Sequence, residues 1–177
     1  MNINEFVKQS IPVYPNWPSE GIQYMNTVEL CNNPKAFKAS VDWFSSVADK
    51  CGAQAIFSAD ARGFIWGSPV ALQLGIPMYT VRKPGKMPGE VWKQEYQLEY
   101  GTDTVELSKN VPAGDRPVLI VDDVLATGGT ADAIAKLVSK LGVSPKNITV
   151  AVVVNLTFLP GADLLRSQGY NVIGLVE

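Results

Sequence analysis

The stretch from residue 118 to residue 130 constrains the fold of this chain more than any other. It opens with four apolar residues, continues with the carboxylates Asp122 and Asp123, and passes through small residues into an amphipathic segment. A short apolar run of this kind predicts a strand that is buried on both faces. The small residues predict a loop, and the amphipathic segment predicts a helix. The stretch therefore predicts one strand–loop–helix unit of an α/β fold.

Apolar runs alternate with amphipathic segments along the rest of the chain. This order is typical of an α/β fold with a central, mainly parallel sheet flanked by helices. The length of 177 residues favours a single domain spanning residues 1–177. The predicted strands are residues 53–57, 77–81, 117–121, 149–154 and 172–175. The predicted helices are residues 34–50, 64–74, 130–141 and about 161–168.

Two segments interrupt this alternation. Residues 11–26 interleave prolines with aromatic residues, so they cannot form a regular helix. Residues 83–106 begin with prolines and glycines, alternate in polarity from 91 to 100, and turn at Gly101 into residues 104–107. We interpret the second segment as a long β-hairpin arm, because a connection of this length inside a compact domain is usually a lid or a binding loop. An arm that joins subunits is the alternative.

The composition excludes several kinds of chemistry. The chain has no histidine, so neither a Ser/His/Asp triad nor a Cys/His pair can form, and a zinc site would lack its usual ligands. Cys31 and Cys51 do not suggest a disulfide framework, and we expect small, buried or half-buried thiols. Any chemistry must then use carboxylates, cations, backbone amides or a metal ion.

Charge and hydropathy limit the expected partners and location. The formal net charge is −2, so the chain lacks an overall attraction for a nucleic-acid backbone, and we expect no nucleic-acid partner. No apolar run approaches the roughly 20 residues of a membrane-spanning helix. The first residues lack the basic and apolar regions of a signal peptide. We therefore expect no membrane contact and a cytoplasmic location.

The loop after residue 123 suits a phosphate group. Its small residues permit close approach of the backbone, its amides can point inward, and the following helix carries partial positive charge at its N-terminus. Thr127 and Thr130 add hydroxyl donors. Two adjacent carboxylates would repel a phosphate unless they face something else, such as sugar hydroxyls. A phosphorylated ribose satisfies both halves of the motif, whereas the P-loop and dinucleotide-binding patterns are not matched.

Residues 122–130 resemble the motif with which type I phosphoribosyltransferases bind phosphoribosyl pyrophosphate (PRPP). Weaker similarity at residues 10–12, 34–36 and 155–156 extends the resemblance over nearly the whole chain. It implies the type I phosphoribosyltransferase fold, with an N-terminal hood segment at residues 1–33 and a flexible catalytic arm at residues 83–107. Three further motifs occur in the order and at about the spacing seen in adenine phosphoribosyltransferases: Ala61-Arg62-Gly63-Phe64, Arg82-Lys83-Pro84-Gly85-Lys86 and Leu98-Glu99-Tyr100-Gly101-Thr102-Asp103.

The resemblance implies a reaction. The 5-phosphoribosyl group of PRPP, which binds first, is transferred to adenine, giving AMP and pyrophosphate in a homodimer that requires Mg²⁺. The metal is held mainly through PRPP and water, without a direct protein ligand that we can name. The acid pair holds the ribose 2- and 3-hydroxyls, and the loop holds the 5-phosphate. The implied PRPP-binding residues are Asp122, Asp123, Ala126, Thr127, Gly128, Gly129 and Thr130.

Fixed cations should assist this reaction, because departure of pyrophosphate leaves an oxocarbenium-like centre and concentrates negative charge on the leaving group. By resemblance, Arg62 and the backbone of residues 60–63 form the pyrophosphate loop, with a non-proline cis peptide bond before residue 61. Arg62 and Lys83 are also implied to be catalytic. For Lys86, a solvated lysine is the alternative. The implied pyrophosphate-binding residues are Asp60, Ala61, Arg62, Gly63, Arg82, Lys83 and Lys86.

The third implied catalytic residue is Glu99. The matching glutamate in the family reaches the purine N7 and handles the proton as N9 attacks, a task for which an enclosing lid can adjust a carboxylate. The alternative for Glu99 is an exposed charge on the hairpin. By resemblance, Tyr24 covers one face of the purine and Leu156 is a candidate for the other. The implied base-binding residues are Gln23, Tyr24, Met25, Leu125 and Leu156.

The sequence departs from the family pattern at two points. Tyr24-Met25-Asn26 stands where Phe-Arg-Asp is common, and Ser58 stands where a glycine is usual. If backbone groups of residues 23–25 read the adenine edge, the first change matters little. If the replaced side chains hold that segment in place, the affinity for the base or the choice of base is altered.

Other interpretations stay open at this point. One is a phosphoribosyltransferase for a different 6-substituted purine, and another is a regulator that senses PRPP without turnover. The arm with Glu99 and the lack of a basic face argue against the regulator. Trp66 and Trp92 are candidates for a contact between subunits, with burial in the core as the alternative.

Overall fold

The computed structural model describes residues 2–98 and 101–177, and in them no helix is long and apolar enough to cross a bilayer. The helices of this part of the chain are α1 (Ile3–Gln9), α2 (Pro34–Cys51), α3 (Gly63–Leu74), α4 (Gly129–Lys140) and α5 (Gly161–Ser167). Its strands are β1 (Val13–Pro15), β2 (Gln23–Met25), β3 (Ile56–Ala59), β4 (Met78–Val81), β5 (Val91–Leu98), β6 (Gly101–Ser108), β7 (Val118–Leu125), β8 (Ile148–Asn155) and β9 (Asn171–Val176).

Five parallel strands form the central sheet, in the order β4-β3-β7-β8-β9. Helices α2 and α3 pack with α1 against one face, and α4 and α5 pack against the other. The first four residues of β7, which lies in the middle, are fully buried because both faces of this strand are covered. The structure thus confirms the predicted α/β class with a central parallel sheet between helices.

The boundaries of several elements differ from the predictions. The strand predicted at residues 53–57 occupies Ile56–Ala59, because α2 extends to Cys51 and Gly52 ends it in the left-handed region, at φ 67°. Residues 53–55 are then needed to return the chain to the sheet. Helix α1 and a 3₁₀ helix at Thr27–Asn32 were not predicted. Both are too short to show a helical period.

Two antiparallel hairpins stand outside the sheet. Strands β1 and β2 pair with each other within residues 11–26, the segment that was expected not to form a regular helix. Strands β5 and β6 pair from Val91 opposite Ser108 to Leu98 opposite Gly101, which agrees with the hairpin interpretation. The second half of β6 belongs to the core, because Val105 and Leu107 are buried there. Its motion, which the sequence interpretation expected, stays a prediction.

The two tryptophans considered for a subunit contact differ in environment. Trp66 is fully buried, and its indole Nε1 donates to Ser40 Oγ at 2.9 Å. Trp66 is therefore a core residue, and the interface interpretation was wrong for it. Trp92 is 38% exposed on the arm, with the Lys109 ammonium 5.1 Å from its ring centre.

Helix α3 approaches the sheet unusually closely at Gly67. A Cβ atom built there would lie 2.8 Å from the Ser58 Cβ and 3.2 Å from the Met78 Sδ. Ser58 is fully buried, and no hydrogen-bond partner is found for its hydroxyl in the described structure. A glycine at position 67 is thus what allows a serine at position 58.

We expect Gly67→Ala to lower the free energy of unfolding by about 1–3 kcal/mol, because the added methyl group overpacks this contact. The direction of this change is informative, because replacing glycine with alanine at an unconstrained helical position usually raises the free energy of unfolding. Chemical denaturation monitored by circular dichroism measures the difference. Adding Ser58→Gly to the variant should restore part of the loss.

The control is Leu72→Ala on the same helix, where the side chain is 84% exposed. It should change the free energy of unfolding by less than about 0.5 kcal/mol. A Gly67→Ala protein as stable as the unmodified chain would contradict the close approach of α3.

Candidate active site

The candidate site lies at the carboxyl end of β7. Helix α3 follows β3 on one face of the sheet and α4 follows β7 on the other, so the chain diverges between these strands and leaves a crevice. A cavity of about 220 Å³ occupies it. The cavity is lined by Arg62, Asp122, Val124, Leu125, Ala126, Thr127, Gly128, Gly129, Thr130, Ala131 and Val152. The structure therefore places Asp122, Arg62 and the predicted phosphate loop around one space.

The loop after β7 has a shape that depends on glycine. Gly128 has φ 89°, and a Cβ atom there would lie 2.9 Å from the Cα of Gly161 at the start of α5. The Gly161 amide donates to the Ala126 carbonyl at 3.1 Å, and this hydrogen bond ties the loop to the start of α5. The loop then enters the first turn of α4, where free amides and the helix dipole favour an anion.

The two adjacent carboxylates lie in different environments. Asp122 lines the cavity, and its Oδ1 accepts from the Asp123 amide at 2.8 Å. Asp123 is 1% exposed; its Oδ2 accepts from the Thr27 hydroxyl at 2.6 Å and forms an ion pair with Arg62, whose Nε lies 3.1 Å away. Asp122 thus faces the cavity, whereas Asp123 connects β7 to Thr27 and Arg62. A ribose-binding role for Asp123 stays a prediction.

Burial and the neighbouring negative charge of Asp123 raise the pKa of Asp122 to about 8. A large part of the Asp122 carboxyl groups is therefore protonated at neutral pH in the protein without a ligand. Hydroxyl groups that donate to Asp122 favour the carboxylate form, so binding of a sugar at this position should release a proton.

Arg62 bridges the sheet and the N-terminal segment. Besides its contact with Asp123, its Nη1 donates to the Tyr24 hydroxyl oxygen at 3.1 Å. Its side chain is 45% exposed at the cavity. The peptide bond between Asp60 and Ala61 is cis, as the family resemblance implied. Arg62 is therefore within the site, and in the absence of a ligand Asp123 and Tyr24 hold it.

The carboxylate of Asp60 gathers two of the predicted pyrophosphate-binding cations. Its Oδ2 lies 3.2 Å from Arg82 Nε and 3.6 Å from Lys86 Nζ. Burial alone would raise the pKa of Asp60, but hydrogen bonds from Arg82 and the Lys83 amide, together with the charge of Lys86, lower it overall. Lys86 is 52% exposed yet paired, so it is not simply a solvated lysine.

Lys83 lies beside the arm instead of beside Asp60. Its ammonium pairs with Asp103 of β6 and donates to the Tyr96 hydroxyl at 2.8 Å. Burial alone would lower the pKa of Lys83, but the hydrogen bonds with Asp103 and Tyr96 raise it overall. Lys83 therefore carries a full positive charge at neutral pH.

Four of the five predicted base-binding residues line cavities, which are three in number. Tyr24 lies in a cleft of about 250 Å³ with Tyr14, Trp17 and Asn26, and its ring centre is 4.3 Å from that of Trp17. Met25 and Leu156 line a pocket of about 140 Å³. Leu125 lines the cavity of the phosphate loop, and Gln23 is exposed on β2. The structure thus does not bring these five residues into one slot.

Some residues of the site were not identified from the sequence. Thr27 and Tyr96 contribute side-chain hydrogen bonds to Asp123 and Lys83, yet each lies far from its partner along the chain. The aromatic character of the segment was the only signal for the contact of Trp17 with Tyr24. Glu99, the predicted third catalytic residue, and the neighbouring Tyr100 lie outside the described residues.

Comparison with known proteins agrees with this geometry. The sequence model of the family described as phosphoribosyl transferase domain matches residues 27–174. The adenine phosphoribosyltransferase of Actinobacillus succinogenes is 44% identical over 98% of this chain and 95% of its own length. That of Mannheimia succiniciproducens is 46% identical, with the same shares of the two chains.

Solved structures give the same result. The adenine phosphoribosyltransferase of Thermoanaerobacter pseudethanolicus has a TM-score of 0.87 and 38% identity, covering 98% of each chain. That of Saccharomyces cerevisiae, complexed with an imino-altritol bisphosphate and adenine, has a TM-score of 0.86 and 36% identity over the same shares. The chain described here belongs to the adenine phosphoribosyltransferase family.

Proposed function

We propose that this chain transfers the 5-phosphoribosyl group of PRPP to adenine and releases AMP and pyrophosphate. One observation carries the proposal: a carboxylate and a glycine-dependent phosphate loop share the cavity at the end of β7, with an arginine on its wall. The named activity of relatives that match nearly the whole chain supports the choice of adenine. So does the adenine bound to the structurally similar yeast protein.

The arrangement suggests a role for each part. The amides of residues 126–130 and the hydroxyl of Thr127 bind the 5-phosphate, and Asp122 accepts from a ribose hydroxyl. Four cations stabilise the charge developing on pyrophosphate. They are Arg62, Lys83 and the two residues paired with Asp60, which are Arg82 and Lys86. Each of these cations has a carboxylate partner. Pyrophosphate, which carries several negative charges, would compete with those carboxylates.

The acceptor base needs a partner for its proton. Glu99 is proposed for this role, on the resemblance of residues 98–103 to the family motif. It directly follows β5, whose partner strand contributes Asp103 to the Lys83 contact. Tyr24 is proposed to cover the base, because its hydroxyl reaches Arg62 and its ring therefore lies beside the cavity that would hold the ribose.

Magnesium is proposed as the metal of the reaction. When bound, it would neutralise charge on the departing pyrophosphate. Among the described residues that line the cavity, Asp122 is the one carboxylate. Mg²⁺ prefers six oxygen ligands and keeps several waters, so PRPP oxygens and water would complete its shell. A cytoplasmic homodimer is also proposed, on the family resemblance, and analytical ultracentrifugation tests the dimer.

The test of the proposed function is incubation of the purified protein with PRPP, Mg²⁺ and one purine at a time. We expect AMP from adenine and a rate at least about a hundredfold lower with hypoxanthine or guanine, because a site that pairs with a 6-amino group rejects bases that carry an oxygen at that position. Chromatography of the products measures both. Turnover of another purine alone would indicate a different base, and PRPP binding without turnover would indicate a regulator.

Removal of the metal should stop the reaction. With excess EDTA we expect the rate of AMP formation to fall by about a hundredfold or more, and added Mg²⁺ to restore it, because the charge on pyrophosphate is then no longer neutralised. The melting temperature should stay the same with EDTA, since the metal enters with PRPP. A rate that is insensitive to EDTA would contradict the proposed role of Mg²⁺.

Substitution of the acid pair should separate binding from folding. The folded-state pKa of Asp122 is about 8, well above the usual value of about 4, so its ionisation destabilises the fold as the pH rises between them. Asp122→Asn removes this cost. Its melting temperature should therefore exceed that of the unmodified chain at pH 8, by about 2–4 °C, and not at pH 4. Its affinity for PRPP should fall about tenfold.

Asp123→Asn is the matched comparison and should lower the melting temperature at pH 4, where Asp122 is protonated in the folded state and no repulsion between the two side chains is relieved. It leaves Arg62 without a counter-ion and weakens the hydrogen bond from buried Thr27, at a cost of about 1 kcal/mol. Thermal denaturation of both variants across this pH range tests the difference. Equal destabilisation by both substitutions at every pH would show that the two carboxylates do not differ as described.

A further inference from the structure

The hydroxyl of Tyr96 joins three parts of the site. It accepts from Lys83 Nζ at 2.8 Å and from Thr130 Oγ1 at 3.2 Å, and it donates to Asp103 Oδ2 at 3.1 Å. Tyr96 and Asp103 lie on the two strands of the arm, Lys83 follows β4, and Thr130 is in the first turn of α4. A tyrosine hydroxyl has one proton to donate and two lone pairs, so these contacts use its full capacity.

The ring of Tyr96 is held firmly. The residue is only 7% exposed and belongs to the core cluster with Val105 and Leu107. A Cβ atom added at Gly129 would lie 3.2 Å from the ring and 3.1 Å from the Gln97 carbonyl oxygen, so β5 lies directly against the start of α4. The hydroxyl therefore has a fixed position relative to the phosphate loop.

Two of its partners are groups that the proposed function assigns to PRPP. Lys83 is proposed to meet the pyrophosphate, and the backbone amide of Thr130 is proposed to donate to the 5-phosphate. Each side chain has rotatable bonds that would otherwise be ordered at the moment of binding, which weakens affinity. Hydrogen bonds from a rigid neighbour hold such groups near their working positions beforehand.

We propose that Tyr96 is a positioning residue for PRPP, and this inference rests on the proposed function. Its hydroxyl orients the Lys83 ammonium and, by accepting from the Thr130 hydroxyl, holds the first turn of α4 in place before PRPP arrives. It also links the arm to the phosphate loop, so that the groups proposed for the two ends of PRPP are already held at fixed positions relative to each other. Adenine makes no use of these two groups, so Tyr96 affects the binding of one substrate and not of the other.

The experiment compares Tyr96→Phe with Tyr170→Phe in the full chain. Both changes remove one hydroxyl from a tyrosine that is 7% exposed. Tyr170 lines a cavity of about 660 Å³ beside α2 and α5, away from the phosphate loop. Calorimetric titration with PRPP and Mg²⁺ gives the dissociation constant without catalysis. Initial rates give kcat and the KM of each substrate.

For Tyr96→Phe we expect the dissociation constant and the KM of PRPP to rise about tenfold, which corresponds to the loss of one or two hydrogen bonds. The KM of adenine should stay within about twofold. For Tyr170→Phe all these values should match the unmodified chain. A residue that only supports the fold would instead change both substrates together, or change stability alone.

Three outcomes would overturn the inference. They are unchanged or tighter PRPP binding by Tyr96→Phe, an equal rise in the KM of both substrates, and an equal effect of Tyr170→Phe. The proposed function is tested separately by the unmodified chain. If that chain binds no PRPP, the proposed function fails. If it binds PRPP and Tyr96→Phe binds equally well, only the positioning role fails.

Discussion

A buried carboxylate connects the sheet of this protein to the segments that cover it. Asp123 of β7 is 1% exposed, yet it accepts a hydrogen bond from Thr27 and pairs with Arg62. A buried charge without partners would be very unfavourable, so the N-terminal segment and the start of α3 are held where they can supply them. Through Arg62 the contact continues to Tyr24. The placement of the expected base-covering segment thus depends on one acidic side chain of the sheet.

The cations of the site are all paired with carboxylates. Arg62, Lys83 and the Arg82–Lys86 pair each lie against a carboxylate, from Asp123, Asp103 and Asp60 respectively. These pairs order the cations. They also mean that an anionic ligand must replace existing partners rather than meet free cations. Such a site favours a substrate with several negative charges over a single phosphate, which agrees with PRPP.

Much of the fold followed from local patterns, whereas the shape of the base pocket did not. Residues 118–130 predicted a buried strand, a phosphate loop and a helix, because each feature depends on neighbours within the same stretch. Tyr24, Met25 and Leu156 were expected together from family resemblance, yet Tyr24 lies in one cavity and the other two in another. Adjacent residues of a strand face opposite sides, so Tyr24 and Met25 of β2 diverge.

The sequence by itself determined the α/β class, the glycine-containing loop after β7 and the kinds of chemistry that a chain without histidine can perform. Hydrophobic period, glycine and charge act over a few residues, and they are visible without a structure. Only the tertiary structure decided the partners of those groups. Thr27 reaches Asp123 across 96 residues, and Tyr96 reaches Thr130 across 34. Contacts of this kind arise from the packing of whole elements, and no local pattern specifies them.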